Sequence, residues 1–553
     1  MARVVITLPA YRAQRTLAQT LADIPAPFAD DVILVDDASP DGTVELAREL
    51  GIRQVYAHAS NRGYGGNQKT CYTKALDDGA AVVVLLHPDY QYDPKALPRL
   101  VEPILAGDAD MTFGSRFAGG GDPRSGGMPL FRYWGNRATT TLENLMLGSR
   151  FTDLHSGMRA FTREFLLSLP FLRYSDDFAF DSQLIVDAAT GGQRIVEVPI
   201  PTRYTSESSS IGIARSLRYV ATTLAYTGHR SAARGKGGRR WPPAWREPRA
   251  GAPLPGRRRV ERPCELCGAC EQALVYPATA AGAVQPDEFR CTSDALSRHD
   301  DIVQCRTCGM VASVPALRPA DVLETYEQVV DETYLREEEG RRELFRWVLA
   351  SIEGYHLPGR RLLELGAHVG LLLDAARGRG WEATGYEPSR WAAELGRRRF
   401  RVDLREGALE DVAPGDGADA VVLLDVLEHV IDPVAALRRL RSVVADDGLL
   451  TLSTINVASI HARARKGGWP WFIRPHLHYF SPETLHATLH AARFRPVEFT
   501  LVPRAFRLSY IAGRLAKASP ALAGAVGSAA AVRDVRVPVG WLGDIVLVHA
   551  RPV

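Results

Sequence analysis

Alternating apolar strands and amphipathic helices run twice along this chain, and the break between the two runs constrains the fold more than any other feature. Within residues 1–228, strand-like stretches at 4–8, 32–35 and 82–86 alternate with helix-like stretches at 16–21 and 44–50. The rhythm resumes at 361–365 and continues at 383–386, 420–424, 449–453 and 545–550. Such β-α-β alternation predicts a mainly parallel sheet covered by helices. Between the runs, residues 229–263 hold eleven Lys or Arg against Glu247 and Glu261, amid many Gly and Pro. A segment of that composition buries too little apolar surface to fold alone. It reads as a solvated linker, or as an electrostatic contact to an anionic membrane or lipid phosphate. The 553 residues are too many for one core. No internal repeat is present and the two halves carry different motifs, so the chain is a fusion, not a duplication. The expected divisions are an α/β domain at 1–228, a basic linker at 229–263, a cysteine module at 264–310 and a second α/β domain at 311–553.

A net charge of +3 argues against a global nucleic-acid-binding role, and no specific nucleic acid is expected as a partner. No stretch reaches about 18 consecutive apolar residues, the length a spanning helix needs. The nearest, 518–532, is short and mostly Ala and Gly. The first residues read as a β-strand and make a poor signal peptide. The expected location is the cytoplasm, with the basic linker allowing peripheral contact at the inner face of the membrane.

Six of the seven cysteines fall between Cys264 and Cys308, with Cys71 alone elsewhere. Clustering of this kind points to a metal rather than to disulfides. Cys264 and Cys267, then Cys305 and Cys308, form two CxxC pairs, each followed by glycine (Gly268, Gly309). Four thiolates at this spacing suit a closed, structural Zn²⁺ site. A redox dithiol needs only one such pair. Cys270, Cys291 and His299 are left over and read as packing residues.

A parallel sheet binds ligands beyond the carboxyl ends of its strands. In the first half, Pro9-Ala10-Tyr11 follows the first strand, Asp36-Asp37 and the turn to Thr43 follow the second, and His87-Pro88-Asp89-Tyr90-Gln91 follows the third apolar run. Asp and Gln are hard oxygen ligands that suit Mg²⁺ or Mn²⁺. Any one Asp-rich turn is weak evidence, but three in this order are stronger. Asn61-Arg62-Gly63-Tyr64-Gly65-Gly66-Asn67, Gly114-Ser115-Arg116 and the stretch from Asp153 through Ser156 to Arg159 complete a set of motifs. With them residues 1–226 resemble the family 2 glycosyltransferases of GT-A fold, in particular those that transfer sugars to polyprenyl phosphates.

The resemblance implies a nucleotide-sugar donor (UDP- or GDP-linked), bound through Pro9, Tyr11, Asp36, Asp37 and Arg116, with Tyr11 and Asp36 at the base and Arg116 at phosphate oxygens. It implies that Asp89 and Gln91 hold the divalent metal, that Asp153, Ser156 and Arg159 lie on the acceptor side, and that the reaction inverts the anomeric centre. Two departures stand out. His87 replaces the first Asp of the metal motif, and no membrane helices follow. The acceptor can therefore be a glycan, a lipid phosphate or a small molecule. A hydroxyl acceptor would need a general base; Asp181 is the candidate, with a helix N-cap as its structural alternative.

In the second half, Leu362–Gly370 reads as a strand, a glycine turn and a helix start, and a second strand ends at Glu387. An acidic residue in that place is common to dinucleotide and S-adenosylmethionine sites. Asp425 with Glu428-His429, and His476-Leu477-His478-Tyr479-Phe480-Ser481, follow. With the CxxC knuckle, these resemble the class I S-adenosylmethionine methyltransferases that modify sugars and lipid-linked glycans, over residues 264–553. The resemblance implies a Rossmann-like fold and a cofactor held by Glu364, Gly366, Gly370, Glu387 and Asp425, with Glu387 on the ribose hydroxyls. His429, His476 and His478 can each titrate near neutral pH, and His478 is the favoured base. Trp469, Trp471 and Phe472 either stack on a sugar face or fill a core. The combined expectation is a bifunctional enzyme that builds and methylates a glycan. The alternative is a methyltransferase whose first domain is a degenerate scaffold.

Overall fold

The computed structural model describes residues 2–204, 213–236, 259–261, 263–280, 285–293, 295–314, 324–413, 417–503, 505–507, 536–538 and 542–553. Most of the linker and the apolar stretch 518–532 therefore lie outside the described residues. The chain divides into two compact units. One comprises Met1–Trp245 with Glu353–His356, the other Arg246–Ile352 with Leu357–Val553.

The first unit is built on seven strands: β1 (Val4–Ala10), β2 (Val32–Asp36), β3 (Gln54–Ala57), β4 (Val82–Leu85), β5 (Met111–Ser115), β6 (Arg159–Thr162) and β7 (Ile195–Pro199). Their order is β3-β2-β1-β4-β6-β5-β7. The apolar runs are continuous because both faces are covered. Val5, Ile33 and Val83 enter one core, while their neighbours Ile6, Leu34 and Val84 enter the other. Adjacent strands are parallel except around β6, which runs antiparallel to both β4 and β5. The register pairs Ala10 with Asp36, so the segments after β1 and β2 emerge side by side.

In the second unit the cysteine module forms a small antiparallel sheet of β8 (Arg259–Glu261), β9 (Glu271–Tyr276), β10 (Asp301–Cys305) and β11 (Val311–Val314). Its edge is completed by a strand from far down the chain, β17 (His478–Tyr479), which pairs with β11. The main sheet comprises β12 (Arg361–Leu365), β13 (Glu382–Glu387), β14 (Asp403–Glu406), β15 (Ala418–Leu424), β16 (Val444–Ile455), β18 (Phe494–Leu501) and β21 (Ile545–Pro552). A separate pair, β19 (Ala505–Arg507) and β20 (Arg536–Pro538), completes the strands. The order of the main sheet is β14-β13-β12-β15-β16-β21-β18, with β21 antiparallel to both neighbours. Both large sheets are thus α/β and largely parallel, each with one reversed strand. Cys264, Cys305, Cys308 and Met310 belong to the same apolar cluster as Leu363, Val421 and Leu452. No described helix is long and apolar enough to cross a membrane.

Candidate active sites

Asp36 ends β2 and is buried. One carboxylate oxygen accepts the Ser39 amide at 2.8 Å. The other is buried with no hydrogen-bond partner among the described residues. A buried acceptor in that condition is costly unless a ligand supplies a donor. Tyr11, one residue beyond β1, is 49% exposed and available to a flat ring. Pro9 is buried within β1. Asp37 does different work: its carboxylate accepts the amides of Arg62 at 2.8 Å and Gly63 at 3.0 Å, and His58 Nδ1 lies 2.8 Å away. Asp37 therefore anchors the glycine segment that starts helix Tyr64–Asp77. That segment needs its glycines: a Cβ on Gly65 would lie 2.2 Å from the Ser175 carbonyl.

The segment after β4 places Asp89 and Gln91 partly buried, with Asp89 Oδ1 accepting the Gln91 amide at 3.1 Å. His87 is turned inward. Its Nε2 lies 3.2 Å from the Tyr64 hydroxyl, and the rings stack with centroids 5.4 Å apart. The Tyr64 hydroxyl donates to Asp181 Oδ2 at 2.8 Å, so its oxygen accepts a hydrogen bond from His87 Nε2–H. That tautomer leaves the lone pair on Nδ1. Burial lowers the His87 pKa, opposed by the charge of Asp89. Glycine at 157 leaves room for the imidazole; a Cβ there would stand 3.0 Å from His87 Nε2, a tight contact.

Arg116 and Asp153 form a buried two-pronged ion pair, Nε to Oδ2 at 2.6 Å and Nη2 to Oδ1 at 2.7 Å. Arg116 Nη1 donates to the Tyr204 hydroxyl at 2.9 Å. Burial opposes ionisation of Asp153, yet the guanidinium beside it outweighs burial and holds the carboxyl below its usual range. Arg159 is fully buried: Nε and Nη2 donate to the Ser156 carbonyl at 3.1 and 2.8 Å, and Nη1 donates to the Asp181 carbonyl at 2.9 Å. Its Nη1 also lies 3.3 Å from Asp181 Oδ1. Asp181 sits inside the first turn of helix Ala179–Gly191, where Phe178 is the cap residue, so the N-cap alternative fails. The Ser156 hydroxyl is buried with no hydrogen-bond partner among the described residues. Tyr64 links His87 to Asp181, a role that its place in the glycine motif does not announce.

In the second unit, four sulfurs converge. Cys264 and Cys308 Sγ are 3.5 Å apart, Cys267 and Cys305 Sγ 3.6 Å, and all four lie within 4.8 Å of one another. Tetrahedral bonds of about 2.3 Å require sulfurs roughly 3.8 Å apart, so the set fits Zn²⁺. Gly268 (φ 72°) and Gly309 (φ 78°) make the left-handed turns after each pair. The spare residues have other places: His299 is buried between backbone carbonyls of Asp300 and Gly467, while Cys270 is exposed.

At the carboxyl ends of β12 and β13 the chain opens a cleft of about 2830 Å³. Gly366, His368, Glu364, Glu387 and Asp425 line it. Its volume exceeds the roughly 300–1,000 Å³ of an ordinary small-molecule site, leaving room for a cofactor and a second substrate. Glu387 accepts the amides of His368 at 2.7 Å and Ser389 at 2.9 Å. Burial nevertheless pushes its pKa up to about 7. Burial and the nearby Glu387 charge hold Glu364 well above the carboxylate range. Gly366 (φ 68°) and Gly370 (φ 75°) adopt the left-handed conformation, and a Cβ on Gly366 would meet Val426 at 2.6 Å. His368 takes φ 48° in the same turn and stacks on Tyr334 with centroids 3.6 Å apart.

His478, favoured as base from the sequence, is fully buried in β17, its Nε2 3.1 Å from the Ile431 carbonyl, and does not line the cleft. His429 and His476 do line it, with ring centroids 4.8 Å apart. His429 Nδ1 lies 2.9 Å from the Pro475 carbonyl and His476 Nδ1 2.9 Å from the Trp471 carbonyl. A carbonyl only accepts, so the His476 proton sits on Nδ1 and its Nε2 carries a lone pair; His429 Nδ1 also meets the Tyr326 hydroxyl at 2.7 Å, which can donate to it, so both His429 tautomers fit. Burial lowers both pKa values, keeping the rings neutral at pH 7. Trp469 and Phe472 fill the core, whereas Trp471 lines the cleft.

Residues 5–169 match the family model for glycosyl transferase family 2, and residues 336–498 match the model for a methyltransferase domain. An undecaprenyl-phosphate mannosyltransferase of Micrococcus luteus is 32% identical over 204 residues, 36% of this chain and 82% of the relative. A polyprenol monophosphomannose synthase of Mycolicibacterium smegmatis is 30% identical over 205 residues, 36% of this chain and 76% of the relative. Among solved structures, glucosyl-3-phosphoglycerate synthase from Mycobacterium tuberculosis aligns at 20% identity and TM-score 0.34, covering 41% of this chain and 80% of that one. Through its first unit the chain belongs to glycosyl transferase family 2, and through its second it carries a methyltransferase domain. It is a bifunctional glycosyltransferase and methyltransferase, and the scaffold alternative is not favoured.

Proposed function

We propose that the first unit transfers a sugar from a nucleoside-diphosphate donor to a polyprenyl phosphate, and that the second methylates a sugar or glycan with S-adenosylmethionine. The observation that carries the first half is the unpartnered, buried Asp36 oxygen beside the exposed Tyr11 ring. That pairing suits a flat base with an N–H donor. By their names, one relative is an undecaprenyl-phosphate mannosyltransferase and the other a synthase of polyprenol monophosphomannose, which favours a lipid phosphate over a glycan hydroxyl. A phosphate oxygen is already anionic, so it attacks the anomeric carbon with no proton to remove as the bond to the diphosphate breaks. Asp181 then serves to position Arg159, Tyr64 and His87 rather than as a base. Asp89, Gln91 and His87 Nδ1 are the atoms able to hold Mg²⁺ or Mn²⁺, which would neutralise charge on the departing diphosphate.

In the second unit Glu387 would accept hydrogen bonds from the ribose hydroxyls, since two carboxylate oxygens match two donors. An acceptor hydroxyl would take the methyl group from the sulfonium, whose S–C bond breaks to leave a neutral thioether, while its proton passes to Nε2 of His476, or of His429 in the tautomer that carries its proton on Nδ1. Cys264, Cys267, Cys305 and Cys308 would hold a structural Zn²⁺.

Calorimetric titration of the intact protein tests the reading: UDP and GDP, each with and without Mn²⁺, and S-adenosylmethionine separately. Independent binding of one nucleotide and of S-adenosylmethionine is the expected result, and the tighter nucleotide names the donor. Binding of S-adenosylmethionine alone sinks the first half. For the knuckle, metal analysis should find one zinc per chain and Cys305→Ser should lose it; a zinc-free protein of full stability would refute the assignment.

A further inference from the structure

The reversed strand β21 delivers a carboxylate to the binding edge of the second sheet. It runs antiparallel to β16, with Ile545 opposite Ile455. The residue before it, Asp544, therefore emerges where β16 ends, at the carboxyl ends of the parallel strands, and it lines the cleft. Its side chain is 15% exposed and gathers four donors. Oδ1 accepts from Ser459 Oγ at 2.7 Å and from Trp469 Nε1 at 3.1 Å. Oδ2 accepts from His461 Nδ1 at 2.7 Å and from Trp471 Nε1 at 3.4 Å. Ser459 also caps helix Ile460–Arg465 by accepting the Ala462 amide at 2.9 Å, which fixes the turn that carries His461.

Two of these donors, His461 and Trp471, line the cleft, while Trp469 is fully buried. Trp471 is tied twice. Its indole N–H goes to Asp544, and its carbonyl takes His476 Nδ1–H at 2.9 Å. The indole and the His476 imidazole are nearly parallel, 16° apart, with centroids 6.4 Å apart. A carboxylate only accepts, so the His461 proton sits on Nδ1. The neutral ring then carries a lone pair on Nε2, which has no partner among the described residues. His476 offers its Nε2 lone pair in the same way. The wall is thus a flat apolar ring flanked by two hydrogen-bond acceptors. A matching ligand brings an apolar face and hydroxyl donors together, as a pyranose does. A hydrocarbon chain would leave both nitrogens without donors, and ionised phosphate oxygens bring none. Arg465 borders the same wall but is exposed, its Nε 3.4 Å from the Gly468 carbonyl.

We propose that Trp471 and His461 form the acceptor subsite of the methyltransferase, where a neutral pyranose lies on the indole ring and donates hydroxyls to His461 Nε2 and His476 Nε2. Asp544 is a positioning residue that sets the planes of both side chains. The hydroxyl on His476 is the one that is methylated. The hydroxyl on His461 fixes the rotation of the sugar, and so which oxygen meets the methyl group. This inference rests on the sugar-methylating reading of the second unit and adds where the sugar lies.

Saturation-transfer NMR on the full chain tests it, with S-adenosylhomocysteine present and the methyl α-glycosides of glucose, mannose and galactose as probes. At least one glycoside should draw saturation, strongest on the ring protons of one face. Trp471→Ala should weaken its binding by about tenfold or more, and Trp471→Phe, which keeps a ring, should weaken it less. Unchanged S-adenosylmethionine affinity in both variants would show that the fold is intact. In Asp544→Asn the nitrogen NMR signals of His461 should move towards a mixture of tautomers as glycoside binding falls; an unmoved tautomer would remove Asp544 from its positioning role. If S-adenosylmethionine binds but no glycoside does, or if glycoside binding survives Trp471→Ala, the proposal falls. Binding of glucosyl phosphate in preference to every glycoside also overturns it, since the wall would then read an anion. A chain that binds no S-adenosylmethionine would remove the methyltransferase reading itself, a result distinct from a failed subsite.

Discussion

The two ligand-binding ends differ in how they treat buried charge. In the first unit, Arg116 meets Asp153 and Arg159 meets Asp181, so these two buried carboxylates each have a cation against them, while Asp36 keeps one oxygen open. In the second, Glu364 and Glu387 lie together with no cation among the charges that set their pKa values, and both are pushed upward. The first arrangement uses charge to hold a loop in place. The second keeps acceptors in reserve for a ligand that brings hydroxyl donors. Buried groups can thus be stabilised from within or left for a ligand to complete, and only the second kind reports directly on binding.

The largest expected effect comes from breaking the first arrangement. Asp153→Asn strands the Arg116 guanidinium in the interior, and removing one partner of a buried pair costs about 3–5 kcal/mol. Chemical denaturation should show that loss, and the double variant Arg116→Met, Asp153→Leu should recover much of it. A loss under about 1 kcal/mol, the size of an exposed pair, would mean that the pair is not the brace described.

Next in size is Glu387→Gln. Hydrogen bonds to a charged group are worth about 1.5–3 kcal/mol, so S-adenosylmethionine binding should weaken by roughly ten- to a hundredfold with stability little changed. Unaltered affinity would remove Glu387 from the cofactor site. In methyl-transfer assays, His429→Ala and His476→Ala should identify the base by the lower kcat, whereas His478→Ala should chiefly lower stability.

A smaller effect separates the units by pH. A Glu387 pKa raised to about 7 means that the folded state binds its proton more tightly than the unfolded chain does. Its contribution to stability is therefore complete at low pH and is lost as pH rises through 7. Asp153, held low, acts in the opposite sense: its stabilisation is present near neutrality and is lost in acid. Ligand hydroxyls need the ionised Glu387, so cofactor affinity should climb about tenfold from pH 6 to pH 8. A flat profile would contradict the raised pKa.

Strand positions were legible to within a few residues because apolar runs that feed two cores are long and unbroken, as in β1, β12 and β15. Strand direction was not: β6 and β21 run backwards, and periodicity carries no sign. Asp36, Asp89, Glu364 and Glu387 could be found because chemistry at strand ends follows from the sheet. The partnership of Arg116 with Asp153, 37 residues on, could not, since nothing local says that a phosphate-type arginine is already engaged. The choice of His478 failed for the same reason. Its pairing with Ala312 in β11 spans more than 160 residues, and that contact, rather than its own motif, takes it away from the cleft.

That pairing also bears on how the chain is made. The knuckle sheet begins near residue 259 but receives its edge strand only at His478–Tyr479. Emerging from a ribosome, the module stays incomplete until most of the methyltransferase has been synthesised, whatever metal it has gathered. Loops that close over such distances form late and slow folding. The module is then not a removable part, and a chain severed between residues 314 and 478 would leave β11 paired with β10 alone.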